Sequence, residues 1–134
     1  MSYMRIGVLA AETDTSVETL RYYEAEGLIP EPRRSESGYR LYSAQDVRRV
    51  SFIRRARGMG FSLKETAELL SLQVEKEAAT CGEVKTLAEK KLCVIEDKIA
   101  ELNKMKAALR QVTEACAGGE ASAVHCTILG ALES

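Results

Sequence analysis

The 134-residue sequence lacks long apolar runs, and no stretch approaches the eighteen or so consecutive apolar residues of a membrane-spanning helix. Its start, MSYMRIGVLAAE, also lacks the extended apolar segment and small-residue cleavage site of a secretory signal peptide. We therefore expect a cytoplasmic protein with no membrane partner. Because thiols stay reduced in that compartment, the four cysteines favour metal binding or core packing over a disulfide framework.

Histidine is scarce as well, and His125 is the single example. It stands beside Cys126 and so forms a formal Cys-His pair. The side chains of sequence neighbours point apart, however, and no acidic residue is evident that would orient the imidazole. The sequence therefore predicts that the chain is not an enzyme and has no catalytic residues.

The net charge of −1 conceals a strong segregation of charge along the chain. Ten of the eleven arginines lie at or before Arg57, and all eight lysines lie at or after Lys64. Residues 33–57 carry eight arginines against two acidic residues, whereas residues 61–134 carry nine basic and twelve acidic residues. Because the planar guanidinium group suits phosphate, the two halves are expected to have different partners.

A helix-turn-helix is predicted in RIGVLAAETDTSVETLRYYEAEGLIP. Apolar residues in IGVLA give the first helix a hydrophobic face. Thr15 or Ser16 can cap the second helix, and Glu18 has the capping-box spacing from Thr15. Gly27 and Pro30 end that helix.

A wing is predicted after the two helices. EPRRSESGYRLYS alternates arginine, tyrosine and leucine around a Ser-Gly pair, as a short hairpin does. A basic helix, SAQDVRRVSFIRRARGMG, and an amphipathic helix under a serine cap, SLKETAELLSL, follow it. We therefore predict a mostly α fold that begins with a winged helix-turn-helix domain over residues 1–75.

The segment from Gly82 to Ala115 has no proline and, after Gly82, no glycine. Five apolar residues recur at spacings of three, four, three and seven, which predicts a coiled-coil seam: Leu92, Ile95, Ile99, Leu102 and Leu109. A helix of this length is a rod of roughly 50 Å, which cannot fold its apolar stripe back on so small a chain. We therefore predict a homodimer, with an intramolecular helical hairpin as the alternative.

Three segments, RIGVLA, ETLRYYEAEGL and GYRLYSAQDVRRVSFIRRARGMGFSL, resemble the DNA-binding half of the MerR family of bacterial transcription regulators. The long helix with a terminal cysteine loop resembles the branch of that family that senses divalent metal ions. The resemblance implies a dimer bound to palindromic promoter DNA, with RNA polymerase as a second partner. It also implies that metal binding makes the dimer bend and untwist the promoter, which activates a metal efflux or resistance gene.

Candidate DNA contacts lie on the second helix and on the wing. An exposed helix face can enter the major groove, while the wing grips the flanking phosphates. The helix residues are Thr19, Arg21, Tyr22 and Tyr23, and the wing residues are Arg33, Arg34, Tyr39, Arg40 and Tyr42. One of the two adjacent tyrosines, Tyr22 or Tyr23, is expected to fill the core instead. A solvated face is expected for the arginines of the next helix, with one or two touching phosphate: Arg48, Arg49, Arg54, Arg55 and Arg57.

The cysteines pose a geometric problem. Cys81 and Cys116 stand at opposite ends of the long helix, about 50 Å apart by helical rise, so they cannot share a metal within one chain. Antiparallel pairing of two such helices places Cys81 of the partner subunit beside Cys116 and Cys126. We therefore predict an antiparallel coiled-coil helix over residues 80–116, then a metal-binding loop and short terminal helix over residues 117–134. Cys93, roughly 18 Å along the helix from Cys81, is excluded as a ligand.

The identity of the metal ion stays open. The cysteine spacing most resembles that of zinc-responsive members, with lead, cadmium and mercury sensors close behind. His125 is a weak fourth candidate, because adjacent residues rarely point at one metal. Ala117 and Ala121 stand where zinc sensors tend to have a cysteine and a histidine, and three thiolates alone favour a softer ion. Cys126 opens the short helix, whose N-terminal dipole favours a thiolate.

Other functions fit parts of the sequence. A mercury-responsive or redox regulator would use the same scaffold. A structural or storage zinc protein would use the same cysteines, with the basic half binding another polyanion and showing no operator preference.

Overall fold

The computed structural model describes residues 2–120 and 122–133, so Ala121 lies outside the described residues. The chain divides into two compact units, Met1–Leu87 and Ala88–Ser134. The predicted domain limits at residues 75, 80 and 116 stay predictions. The predicted long helix is present as one element, Cys81–Ala115.

The first unit contains a helix-turn-helix, a two-stranded wing and two further helices before the long helix begins. The elements are α1 (Ile6–Thr13), α2 (Val17–Ala25), β1 (Arg33–Arg34), β2 (Arg40–Leu41), α3 (Ala44–Gly58), α4 (Leu63–Val74) and the start of α5 (Cys81–Ala115). This order matches the predicted winged helix-turn-helix.

Serine side chains set the starts of α2 and α4. Ser16 accepts a hydrogen bond from the Thr19 backbone N–H at 3.1 Å, so Ser16 rather than Thr15 is the cap of α2. At α4, Ser62 Oγ accepts from the Glu65 N–H at 3.1 Å, and Glu65 Oε1 accepts from the Ser62 N–H at 2.7 Å. This reciprocal pair is a capping box, which satisfies two N–H groups that the first helical turn leaves without partners.

The core of the first unit lies between α1, α2, α3, α4 and the wing. It is formed by ten buried residues: Leu9, Ala10, Leu20, Tyr23, Leu28, Ile29, Tyr42, Val50, Ile53 and Leu70. Burying each leucine, isoleucine or valine side chain of this set contributes roughly 1.5–3 kcal/mol relative to leaving it exposed. The helix-turn-helix is therefore held by apolar contacts between its own helices and α3.

Three arginines of α3 donate to backbone carbonyls of the first unit. Arg54 Nη1 donates to the Thr13 carbonyl at 2.7 Å, Arg49 Nη1 to the Leu28 carbonyl at 3.2 Å, and Arg57 Nη1 to the Phe61 carbonyl at 3.1 Å. Thr13 is the last residue of α1, where helical partners run out, and Leu28 and Phe61 lie in the connections that follow α2 and α3. These three arginines therefore help to hold the fold. Arg49 is half-buried, whereas Arg48, Arg54, Arg55 and Arg57 are exposed, as expected for a solvated face.

The wing is a short antiparallel hairpin in which Arg33 lies opposite Leu41 and Arg34 opposite Arg40. Gly38 turns it with a φ of 88°, a conformation that glycine adopts without strain. Met4 and Tyr42 exchange backbone hydrogen bonds of 2.8 and 2.7 Å, which add the N-terminal segment to the wing. The chain before α1 is therefore fixed to the hairpin.

The second unit contains the rest of α5, a 3₁₀ turn (Ala123–His125) and α6 (Thr127–Glu133). Its apolar residues include Leu92, 55% exposed, and Leu109, 63% exposed. No described residue of this unit is buried. Among residues 2–120 and 122–133, no helix is both long and apolar enough to cross a membrane.

Tyr42 gives a test of the core. Burial and, next, its hydrogen bond to Glu24 raise the pKa of Tyr42 from 10.0 to about 12. We expect Tyr42→Phe to lower the free energy of unfolding by about 2 kcal/mol at neutral pH, because a hydrogen bond to a charged group is lost. The folded pKa lies above the unfolded one, so the hydroxyl's contribution is complete below pH 10 and is lost as the pH rises towards 12.

Denaturant unfolding of the wild type and Tyr42→Phe across this pH range measures the difference. A difference that stays constant up to pH 12 would contradict the assignment.

Candidate nucleic-acid interface and metal-binding thiols

An arginine-lined groove of about 670 Å³ lies between the start of α1, α2 and the wing. Its charged lining residues are Arg5, Arg21, Arg34 and Arg40 against Glu24 and Glu31. Arginine presents a planar fork of N–H donors that matches phosphate oxygens. The groove therefore has an excess of positive charge in the part of the molecule where the sequence predicts DNA contacts.

The predicted contact residues of α2 differ in exposure. Arg21 is exposed, Tyr22 is 50% exposed, and Thr19 is half-buried, with its Oγ1 2.8 Å from Ser16 Oγ. Tyr23 is only 8% exposed and belongs to the core. The expectation that one of the two tyrosines fills the core is met by Tyr23, which therefore cannot lay its ring against DNA in this structure.

The wing exposes Arg33, Arg34 and Tyr39, as the sequence predicts. Arg34 Nη1 donates to the Gly38 carbonyl at 2.9 Å, which folds this arginine back over the turn. The structure corrects the prediction for Tyr42, which is 1% exposed and lies in the core. Its hydroxyl donates to Glu24 at 2.9 Å, so Tyr42 supports the wing from inside and is left out of the contacts proposed below.

Two residues ahead of α1 join the wing and were not singled out from the sequence. The guanidinium of Arg5 lies 3.8 Å from the centre of the Tyr39 ring, a cation–π contact, and Arg5 lines the groove. Arg33 Nη1 donates to the Tyr3 hydroxyl at 3.2 Å. The available signal was the position of Arg5 next to the helix-turn-helix, but the approach of the N-terminal segment to the wing is a tertiary contact.

Cys116 and Cys126 come together in the second unit. Cys116 follows the last residue of α5, Cys126 precedes the first residue of α6, and both are half-buried. The backbone N–H of Leu129 lowers the pKa of the Cys126 thiol most, and the Ile128 N–H and the Cys116 thiol lower it further against the effect of burial. A thiol near the start of a helix is stabilised as the thiolate, which is the form that binds metal ions.

The remaining candidates are placed as follows. Cys81 is exposed at the first residue of α5 and, with Phe52, Leu69 and Val84, lines a groove of about 190 Å³ in the first unit. Cys93 and His125 are exposed, on α5 and on the 3₁₀ turn. Among the described residues of one chain, no three potential ligands of the Cys, His, Asp and Glu types form a metal site. The chemistry of the thiol pair fits a divalent ion, and two thiols are fewer than the three or four protein ligands that such an ion takes.

Residues 4–73 match the MerR HTH family of regulatory proteins, and residues 47–112 match the family described as MerR, DNA binding. The chain belongs to the MerR family. Membership confirms the predicted winged helix-turn-helix fold, and it confirms that the chain is a regulator rather than an enzyme.

Individual relatives cover almost the whole chain. It is 43% identical over 129 residues to the transcriptional regulator ZntR of Escherichia coli K12, covering 96% of this chain and 92% of that protein. It superposes with a TM-score of 0.84 on the regulator PbrR691 of Ralstonia metallidurans CH34 in complex with lead(II), at 37% identity and over 96% and 98% of the two chains. It superposes with a TM-score of 0.73 on the dual-function regulator MerR of Bacillus megaterium MB1 in complex with mercury(II). The identity is 33%, and the match covers 98% of this chain and 100% of that chain.

Arg5 provides a test of the groove. We expect Arg5→Ala to weaken binding to duplex DNA about fivefold and to reduce the slope of log K against log salt by about one, because one phosphate contact is lost. Fluorescence anisotropy at several salt concentrations measures both. Lys64→Ala is a control, since Lys64 is an exposed cation at the start of α4 outside the groove lining. Equal effects of the two substitutions would contradict a specific contact by Arg5.

Proposed function

We propose that this protein is a homodimeric, metal-responsive transcriptional activator of a metal efflux or resistance promoter. The observation that carries the proposal is the contact of Cys116 with Cys126, because Cys116 directly follows the helix that begins at Cys81. The arginine-lined groove of the first unit supports DNA binding by the same chain. The lead(II) and mercury(II) complexes of the similar regulators support a divalent ion as the signal.

The dimer is proposed from α5. Its apolar residues in the second unit stand more than half exposed at helical spacing, among them Leu92, Ile99, Leu102 and Leu109. An apolar stripe of this kind is stabilised when a second helix covers it. We propose that the partner's α5 covers it in the antiparallel direction, because this direction brings the partner's Cys81 to Cys116 and Cys126.

Each of the two resulting sites has three thiolates from two subunits. When bound, a divalent ion supplies a bond between the subunits through these thiolates. Zinc is favoured by the spacing of the cysteines, whereas a set of three thiolates also suits cadmium, lead or mercury. His125 is a weak fourth candidate because its side chain is exposed on the 3₁₀ turn.

On DNA, the two copies of α2 would read the half-sites of a palindromic promoter, with Thr19, Arg21 and Tyr22 at the base edges or adjoining phosphates. The wing residues Arg33, Arg34, Tyr39 and Arg40, together with Arg5, would hold the flanking backbone. Binding of the ion by thiols of both subunits favours one arrangement of the two α5 helices over another. The two DNA-binding units then move with these helices. The promoter is then bent and untwisted so that RNA polymerase engages it.

A redox regulator on the same scaffold is the second candidate. The contact between Cys116 and Cys126, and the lowered pKa of Cys126, favour thiol chemistry at this loop. The two candidates differ in their signal, since a redox regulator responds to an oxidant without added metal.

Transcription in vitro distinguishes them. With the purified protein, RNA polymerase and the promoter next to its gene, we expect output to rise on titration of one or more of zinc, cadmium, lead, mercury and copper under reducing conditions. We expect Cys81→Ser to abolish the rise and Cys93→Ser to keep it. Output that is the same with every ion absent or present would exclude a metal-responsive regulator, and a response to oxidant alone would favour the redox candidate.

Mixed dimers test the cross-subunit site. A dimer of one Cys81→Ser chain and one Cys116→Ser chain keeps one complete set, because the Cys116→Ser chain supplies Cys81 to the intact loop of the other. We expect this dimer to bind half as much metal as the wild type in equilibrium dialysis, and each homodimeric variant to bind much more weakly. No binding by the mixed dimer would show that the proposed cross-subunit geometry is wrong.

A further inference from the structure

Glu24 is an acidic residue in a groove built from arginines. It is the residue before the last of α2, its side chain is 14% exposed, and it lines the groove with Arg5, Arg21 and Arg40. A carboxylate there opposes the charge that attracts phosphates. Attraction of DNA by the groove therefore gives no reason for an acid at this position.

Two contacts join this carboxylate to the wing. The Tyr42 hydroxyl donates to Glu24 Oε2 at 2.9 Å, and Arg40 Nη1 lies 3.7 Å from Glu24 Oε1. Arg40 and Tyr42 are two residues apart on an extended segment, so their side chains leave on the same side. The Glu24 carboxylate of α2 thus contacts both Arg40 and Tyr42 of the wing segment.

The two contacts differ in kind. The hydrogen bond from Tyr42 to Glu24 is short, and the Tyr42 ring is fixed in the core. This hydrogen bond therefore anchors the wing to α2. The 3.7 Å separation from Arg40 exceeds the usual length of a hydrogen bond, so charge rather than a tight bond holds this pair. A guanidinium has five N–H donors, and Arg40, with its side chain 36% exposed, keeps donors for a phosphate in the groove.

We propose that Glu24 is a positioning residue for DNA binding, which holds the wing against α2 and directs Arg40 into the groove. The proposal rests on the DNA-binding part of the proposed function but not on the metal response. Glu24 acts on DNA binding through Arg40 and Tyr42, and Glu24 itself does not contact DNA.

Glu31 is a matched control. It lines the same groove and is exposed, and it lies in the connection between α2 and β1. If both acids only repel phosphate, Glu24→Gln and Glu31→Gln tighten DNA binding to a similar extent. If Glu24 positions Arg40, its removal weakens binding although a negative charge has been taken from the groove.

The binding experiment uses the full-length protein, without added metal, and a mixed-sequence DNA duplex at low salt. We expect Glu24→Ala to weaken binding about tenfold, Glu24→Gln about threefold, and Glu31→Gln to tighten it about twofold. The amide introduced by Glu24→Gln still offers a carbonyl to Tyr42, so this variant keeps the anchor and loses only the charge. In an Arg40→Ala background, we expect Glu24→Gln to stop weakening binding. Tightening by Glu24→Gln equal to that by Glu31→Gln would overturn the proposal.

Hydrogen exchange gives a readout without DNA. In the free protein, we expect Glu24→Ala to speed exchange of the hairpin amides, including those of Tyr42 and Met4 that bond across the wing, and Glu31→Ala to leave it unchanged. Unchanged exchange in Glu24→Ala would overturn the positioning role. If both tests give the expected results but transcription does not depend on metal, the positioning role of Glu24 stands and the proposed metal response is wrong.

Discussion

The uncovered apolar stripe of α5 is the constraint on which the rest of this protein depends. The helix runs for 35 residues, and none of its side chains is buried within the described chain. Helices of globular proteins owe most of their stability to packing of an apolar face rather than to intrinsic propensity. In our proposal a second helix covers the stripe, and the same partner completes the thiol set at each end. Dimer formation and the response to metal then share one surface.

Within the first unit, arginine serves two separate purposes. Arg49 and Arg54 of α3 donate to the Leu28 and Thr13 carbonyls, which ties α3 to the helix-turn-helix. Arg57 donates to the Phe61 carbonyl in the turn between α3 and α4. Arg5, Arg21, Arg34 and Arg40 instead line the groove. Arginines of residues 33–57 therefore hold the fold as well as line the groove, so the charge of this segment is not by itself a count of phosphate contacts.

The wing is held from two sides, which links the fold to the site. Glu24 fastens it to α2, and Met4 fastens it to the segment before α1. Arg5 then stacks on Tyr39, so the N-terminal segment also shapes the groove. A two-stranded hairpin alone is only marginally stable in water, so these contacts decide where its arginines point.

Local sequence patterns predicted the helices and the wing of this fold and the candidate residues of its site. Apolar periodicity and the serine caps predicted the helices, because both act within one or two turns of chain. The segregation of arginine predicted the basic unit, and the position of the cysteines at the ends of an unbroken helix predicted which thiols belong together. Membership of the MerR family confirms the fold and the regulatory role that the residues RIGVLA and ETLRYYEAEGL indicated.

Only the tertiary structure decided which side of each element faces another. It placed Tyr23 and Tyr42 in the core and left Tyr22 exposed. It also stacked Arg5 on Tyr39 and set Glu24 between Arg40 and Tyr42. The physical reason is that periodicity defines the faces of one helix or strand, whereas burial depends on the neighbours that fold against it. Those neighbours lie far away along the chain, beyond the reach of any local pattern.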